Sequence, residues 1–373
     1  MIRRYLPEID TLRAIAVTLV VLFHAYPSLV PNGFLGVDIF FVISGYVISR
    51  AYLFPILEHR TSLTDFYSAR FRRLAPALFL MVGATTAAAF ILLMPRDLMN
   101  YAQSLLAQPF YLQNFYYWSQ GGYFDSPLRE PLQHTWNLAV EEQFYLLFSG
   151  LFLLAAGRPR LFWALLIGAP YLSLLFYFAF ETTGFSPRTA FYLLPGRVWQ
   201  IGLGILTFCL VRKYREGRGN ERSRPALSLL AVGLVCVVPF IPTSVSLVRT
   251  AQVLVACGAT AGALALIELN TGHFTVLRLR AVRYIGKISY ALYLWHWPPI
   301  SLAAIVLDRP LMPFEATLAI ILAVALASLT YHFVEMPIRM RRMIADRHEL
   351  LRALCIAAFA ILLVGAAIIF TTA

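Results

Sequence analysis

Charge is what this chain has least of: 13% of its 373 residues are Asp, Glu, Lys or Arg, against 60% hydrophobic. The apolar residues fall in long blocks and not in amphipathic stripes, which excludes an ordinary water-soluble enzyme and places the chain in a bilayer. Cysteine is nearly absent as well. The four present, Cys209, Cys236, Cys257 and Cys355, lie within or at the edge of apolar runs, where a thiol acts as a small hydrophobe. No CxxC pair and no cluster of His, Cys and Asp occurs, so neither a disulfide framework nor a metal site is implied. The first apolar run has no small-residue cleavage pattern behind it and reads as a retained span, not a signal peptide. Acids are scarcer than bases, 19 against 31, for a net charge of +12.

What is present is a series of eleven apolar stretches, near 12–28, 33–53, 74–94, 135–156, 160–180, 190–211, 226–242, 249–268, 287–307, 314–334 and 351–371. They predict an all-α polytopic membrane bundle. With the N-terminus inside, the cytoplasmic connections hold 23 Lys and Arg and the outer ones 5. That asymmetry predicts the N-terminus inside and, after eleven spans, the C-terminus outside. The basic excess is then topology, with no nucleic-acid partner. Two connections stand out: a long aromatic outer stretch, 95–134, and a polar inner one, 212–225.

Arg13 and His24 are ionisable residues inside the first apolar stretch, where such groups are costly and usually mark a function. Eleven residues at about 100° each make three turns plus roughly 20°, so the two share one helix face about 16 Å apart. A snorkelling arginine and a satisfied buried histidine form the plainer alternative. Asp38, in Gly36-Val37-Asp38-Ile39-Phe40-Phe41-Val42-Ile43-Ser44-Gly45, falls at nearly the depth of His24 on the next, antiparallel helix. It either orients the imidazole or caps a helix start. Gly36, Ser44 and Gly45 suit close helix packing.

Arg70, Arg72 and Arg73 lie in a short segment, Ser62–Arg73, that reads as an interfacial helix with a capped start. Their guanidinium forks suit phosphates, although the positive-inside bias explains them as well. Trp136 through Tyr145 sets Glu141 and Glu142 at an outer helix entrance. Ser289 through Pro298 buries His296 between Trp295 and Trp297, lining a pocket or packing. Glu335 sits near an inner helix end as a partner for a basic residue. The aromatic run 110–124 is either an interfacial belt or a surface on which sugars stack.

Taken in order, the Arg13-to-His24 spacing, the 36–45 segment, Trp136–Tyr145 and Ser289–Pro298 resemble the acyltransferase-3 family of integral-membrane acyltransferases over nearly the whole chain. The last two are most similar to the subgroup in which the membrane domain precedes a periplasmic SGNH-hydrolase-type domain, as in O-antigen acetylases. Ala69, Asn137 and His332 depart from the family pattern, where Arg, Ser and Arg are usual.

The resemblance implies a bacterial inner-membrane O-acyltransferase that takes acetyl from cytoplasmic acetyl-coenzyme A and places it on a hydroxyl of an extracytoplasmic, lipid-linked glycan such as O-antigen. In that reading Arg13, Arg70, Arg72 and Arg73 hold the donor, His24 with Asp38 performs the chemistry directly or through an acyl-histidine, and Trp136, Glu141, Glu142 and His296 contact the acceptor. Residues 1–350 form the acyltransferase domain. Residues 351–373 are an extra span, expected to lead to a periplasmic domain. A polyprenol-glycan flippase is the competing class, since it shares the many spans but has no need of a histidine aligned with an inner arginine.

Overall fold

The computed structural model describes residues 5–57, 60–120, 130–155, 157–182, 186–217, 225–242, 245–269 and 279–372. The remainder, including residues 121–124 of the aromatic run and residues 218–224 of the polar connection 212–225, lies outside the described residues. The principal helices are α1 (Pro7–Ala25), α2 (Leu35–Ile48), α3 (Leu63–Leu92), α4 (Pro95–Ala107), α5 (Gln113–Gln120), α6 (Trp136–Leu154), α7 (Pro159–Thr182), α8 (Val198–Gly217), α9 (Pro225–Val237), α10 (Ser246–Leu269), α11 (Arg280–Lys287), α12 (Ser289–Trp295), α13 (Trp297–Leu307), α14 (Pro313–Thr330) and α15 (Arg347–Thr372). Proline opens many of them because its missing N–H is not needed in a first turn.

Seven helical stretches among the described residues are long and apolar enough to cross a membrane, among them Leu35–Leu57, Leu63–Leu92 and Arg347–Thr372. The protein is thus a polytopic helical membrane protein. Other expected spans do form helices but carry polar load: Glu8, Asp10 and Arg13 in α1, Glu141 and Glu142 in α6, and Arg212, Lys213 and Arg215 in α8.

Two expectations change at the level of elements. The interfacial segment and the span after it are one 30-residue helix, α3, which starts at Leu63. Ser62 is its cap: Ser62 Oγ accepts from the Asp65 amide at 3.1 Å, and the Asp65 carboxylate accepts from the Ser62 amide at 3.2 Å. The long outer stretch is largely helical, with α4 and α5 joined through Tyr111 in a left-handed conformation (φ 52°). The expected span 287–307 is present as the helical stretch Ser289–Leu307, with a local lapse in its backbone bonding after His296, where Pro298 withholds an amide hydrogen.

The chain forms two compact units. The first comprises residues 1–61 and 144–289. Its core is built from Leu12, Ala16, Leu35, Ile39, Val42 and Ile43 of α1 and α2 with Val253, Ala256 and Leu264 of α10. Gly36 and Gly45 do act as packing glycines, on opposite neighbours: a Cβ at Gly36 would lie 2.3 Å from the Ala16 carbonyl of α1, and one at Gly45 would lie 1.9 Å from the Ile201 carbonyl of α8. The second unit comprises residues 62–143 and 290–373. Within it α15 packs on α4 through Gly365, where a Cβ would meet the Leu106 side chain at 2.8 Å.

Candidate functional site

In the first unit, α1 runs unbroken from Pro7 to Ala25, so Arg13 and His24 do share one face. Both are partly exposed. His24 touches the Phe23 ring edge-on at 5.1 Å, and Arg13 pairs with Asp10 one turn back at 3.5 Å. The imidazole is thus partly accessible at the opposite end of the helix from Arg13.

Asp38, expected beside His24, is engaged by other partners. Its Oδ1 accepts from Arg197 Nη1 at 2.7 Å and from Gln200 Nε2 at 2.5 Å, and both side chains of the ion pair are 4% exposed or less. Arg197 is further fixed by the Phe191 carbonyl at 2.8 Å and lies over the Phe191 ring at 4.8 Å. The result is a buried ionic clamp between α2 and α8, which holds the helix adjoining α1 in register. A second clamp closes the other end of α2. Glu268 of α10 accepts from Tyr46 at 2.9 Å and pairs with Arg50 at 3.2 Å and Arg215 at 3.0 Å.

Arg197, Gln200 and Glu268 were missed by sequence reasoning. A signal existed: Arg13, Arg50 and Arg197 are the cations inside spans, and a cation at that depth calls for an acid on a neighbouring helix. An apolar cavity of about 390 Å³ also lies in this unit, lined by Phe148, Phe162, Leu166, Pro170, Phe176 and Gly202 among others. Its lining carries no ionisable group.

The second unit brings together residues assigned by sequence to opposite membrane faces. Arg70 Nε donates to Glu142 at 2.7 Å and its Nη2 to Glu141 at 3.2 Å. The presumed donor-binding arginine and the presumed acceptor-binding acids therefore share one level and one ion-pair network. Arg72 is buried, and its guanidinium donates to the carbonyls of Ile344 and, at 2.9 Å, Ala345. It clamps the connection that leads into α15. For Arg70 or Arg72 to reach a phosphate, these bonds would first have to open; Arg73, partly exposed, follows on the same helix.

Trp136 is buried at the start of α6. His296 is fully buried, its Nδ1 donating to the Tyr293 carbonyl at 2.6 Å, and its ring meets that of His134 edge-on at 5.5 Å. The Tyr293 hydroxyl reaches the His134 carbonyl at 2.6 Å and Asn137 Oδ1 at 2.8 Å. His134 was not singled out from the sequence; lying just before the apolar stretch, it carried no depth signal. Burial holds its imidazole well below the ordinary histidine range, so the ring is neutral. Burial, with a smaller push from Asp97, raises the Glu130 carboxyl to about 7. Among the described residues no group of three or more His, Cys, Asp or Glu is arranged to hold a metal ion.

Residues 6–332 match the acyltransferase-3 family, described as an acyltransferase domain. The chain is 31% identical over 353 residues to the peptidoglycan O-acetyltransferase OatA of Listeria monocytogenes, covering 90% of this chain and 56% of that protein. It is 30% identical to the putative peptidoglycan O-acetyltransferase YrhL of Bacillus subtilis, with coverage of 90% and 55%. It is also 30% identical to the O-acetyltransferase OatA of Staphylococcus aureus, with coverage of 90% and 57%. The chain thus spans about half the length of the curated relatives it matches. No solved structure matches it. A helical membrane bundle, an arginine and a histidine aligned on its first helix, and a family match over residues 6–332 lead to one conclusion: the chain belongs to the acyltransferase-3 family.

Proposed function

We propose that this protein is a membrane O-acetyltransferase that moves an acetyl group from acetyl-coenzyme A to a hydroxyl of an extracytoplasmic glycan. The observation that carries the reading is the alignment of Arg13 and His24 on one face of an unbroken α1, with the imidazole partly accessible. His24 takes the proton of the sugar hydroxyl as its oxygen attacks the thioester carbonyl. The carbon–sulfur bond then breaks, and the coenzyme A thiolate leaves, with the proton available from the imidazolium. Arg13, three turns away, steers the anionic donor.

The relatives' names favour a cell-wall sugar of the peptidoglycan type as acceptor over O-antigen. Both offer the same nucleophile, an alcohol on an extracytoplasmic polymer. Purified protein is supplied with saturating acetyl-coenzyme A and the peptidoglycan disaccharide, and ester formation is followed by mass spectrometry. Folded His24→Ala is expected to lose on the order of 10²–10⁴-fold in turnover while still binding acetyl-coenzyme A. Turnover near that of the unmodified protein would remove His24 from the mechanism. Absence of transfer by the unmodified protein to any glycan hydroxyl would favour a flippase.

A further inference from the structure

In the first unit the short helix α11 carries Arg280, Arg283 and Lys287, none of which pairs with an acid among the described residues. Steps of three and four residues turn a helix by about 300° and 400°, so the three side chains fall within an arc of about 60° and along about 10 Å of axis. Val282 and Ile285 take the opposite side. Arg280 and Lys287 are exposed and Arg283 is half-buried, so the basic face is open to a ligand.

The seam between α11 and α1 fixes where that face looks. A Cβ at Gly286 would lie 1.8 Å from the Asp10 carbonyl, so the two backbones touch there. Gly286 stands about 90° round α11 from the middle of the basic arc, which sets the cations along the flank of the seam and not behind it. Side-chain contacts show which flank. The Asp10 carboxylate accepts from the Tyr5 hydroxyl on one oxygen and faces Arg13 Nη1 at 3.5 Å on the other. The Arg283 guanidinium lies over that same Tyr5 ring, 6.0 Å from its centre. Arg13, Asp10, Tyr5 and Arg283 thus form one unbroken run of contacts across the seam, and cations of two helices meet on one side of it.

Several cations in a small space, with Asp10 as the acid in the run, suit a ligand that concentrates negative charge. Coenzyme A offers a diphosphate and a phosphate monoester, together about four negative charges, whereas a simple phospholipid headgroup offers one phosphate. The length of the donor fits the same placement. About 13 bonds separate its diphosphate from its sulfur, and at about 1.2 Å per bond the extended arm reaches about 16 Å. Arg13 and His24 are about 16 Å apart on one face of α1. Phosphates held at the level of Arg13 therefore deliver the thioester to His24. We propose that Arg283 and Lys287, with Arg280 at the rim, join Arg13 in binding the phosphates at the nucleotide end of the donor. The choice of coenzyme A rests on the acetyltransferase reading above.

The test uses the full chain in nanodiscs of zwitterionic phosphatidylcholine, titrated calorimetrically with coenzyme A, with the thermal unfolding midpoint recorded for each variant. Lys287→Gln and Arg283→Gln are each expected to weaken binding about tenfold or more at an unchanged midpoint, the effect of losing a charged contact. Arg283→Lys, which keeps the charge, should recover most of the affinity. Should one glutamine variant fail to fold, the other carries the readout. Equal coenzyme A affinity in the unmodified protein and a folded glutamine variant would overturn the proposal. A second arm repeats the melts in nanodiscs containing phosphatidylglycerol: stabilisation by that lipid, lost in Lys287→Gln while coenzyme A affinity stays the same, would overturn it by assigning the face to lipid headgroups. Acetyl transfer with a coenzyme A affinity indifferent to these substitutions would strike the site and keep the acetyltransferase reading. Substitution-sensitive binding without transfer to any glycan would keep the site and reject that reading, and failure of coenzyme A to bind the unmodified protein would overturn both.

Discussion

Replacing Asp38 separates a structural clamp from a catalytic carboxylate. Its contact with Arg197 is 2.7 Å between nitrogen and oxygen; the charge centres are then about 4 Å apart, worth roughly 4 kcal/mol at an effective dielectric of about 20. Asp38→Ala removes that attraction and leaves the Arg197 guanidinium buried without its counter-charge and the Gln200 amide without its acceptor. The expected loss of stability is about 3–5 kcal/mol, the range for breaking one side of a buried pair. Asp38→Asn keeps an oxygen for Gln200 and loses only the charge, so it should fall between. Arg197→Met should cost about as much as Asp38→Ala, whereas Asp38→Leu combined with Arg197→Met should return to within about 1 kcal/mol of the starting protein, because apolar side chains fill the site without desolvated charge. The assay is equilibrium unfolding in mixed micelles, read as a double-mutant cycle, with acetyl transfer measured on each folded variant. A stable Asp38→Ala protein without acetyl transfer would refute the argument and put the carboxylate in the chemistry.

Arg72→Ala should destabilise the protein by about 3 kcal/mol, since two carbonyls lose charged donors, and should leave the KM for acetyl-coenzyme A of the folded protein within twofold; a large KM increase at unchanged stability would restore Arg72 as a phosphate ligand. Glu130 sets a pH dependence: its carboxyl is raised to about 7 in the fold against an unfolded value near 4.5, so between those values the folded state holds an extra proton. Stability should therefore fall as pH rises from about 4.5 to 7 and level off above. Glu130→Gln should flatten that limb in urea titrations at successive pH values, and an unchanged slope would contradict the assignment.

The helical class and the α1 alignment were legible because both follow from short-range periodicity: apolar blocks of span length, and eleven residues on a helix of 3.6 per turn. The partner of Asp38 was not, since Arg197 lies 159 positions away and the sequence shows only that a buried acid and a buried base must each find something. Depth was misjudged for Arg70 and Glu142 for a related reason. Counting residues from assumed span ends gives them opposite faces, whereas a 30-residue α3 and helical elements inside the supposed outer loop bring them to 2.7 Å. Ser62 shows the same on a small scale: Thr64 and Ser62 are both capping types, and only the three-residue reach to Asp65 chooses between them.

The crossing of α2 and α8 has no side chain at its centre. Gly45 faces the Ile201 carbonyl, and in return Gly204 of α8 faces the Val42 carbonyl, where a Cβ would stand 2.0 Å away. Two backbones that touch reciprocally cannot turn about their own axes, because one residue of rotation, about 100°, would drive Ser44 or Tyr46 into the facing helix. Nor can they slide by a turn without setting a side chain against the opposite carbonyl. Asp38 lies two turns from Gly45, and Gln200 one turn from Gly204, so the glycine contact and the ionic clamp fix the pair at two heights. Any motion this protein makes during turnover must carry α2 and α8 as a single beam, and the mobile joints have to lie elsewhere in the chain.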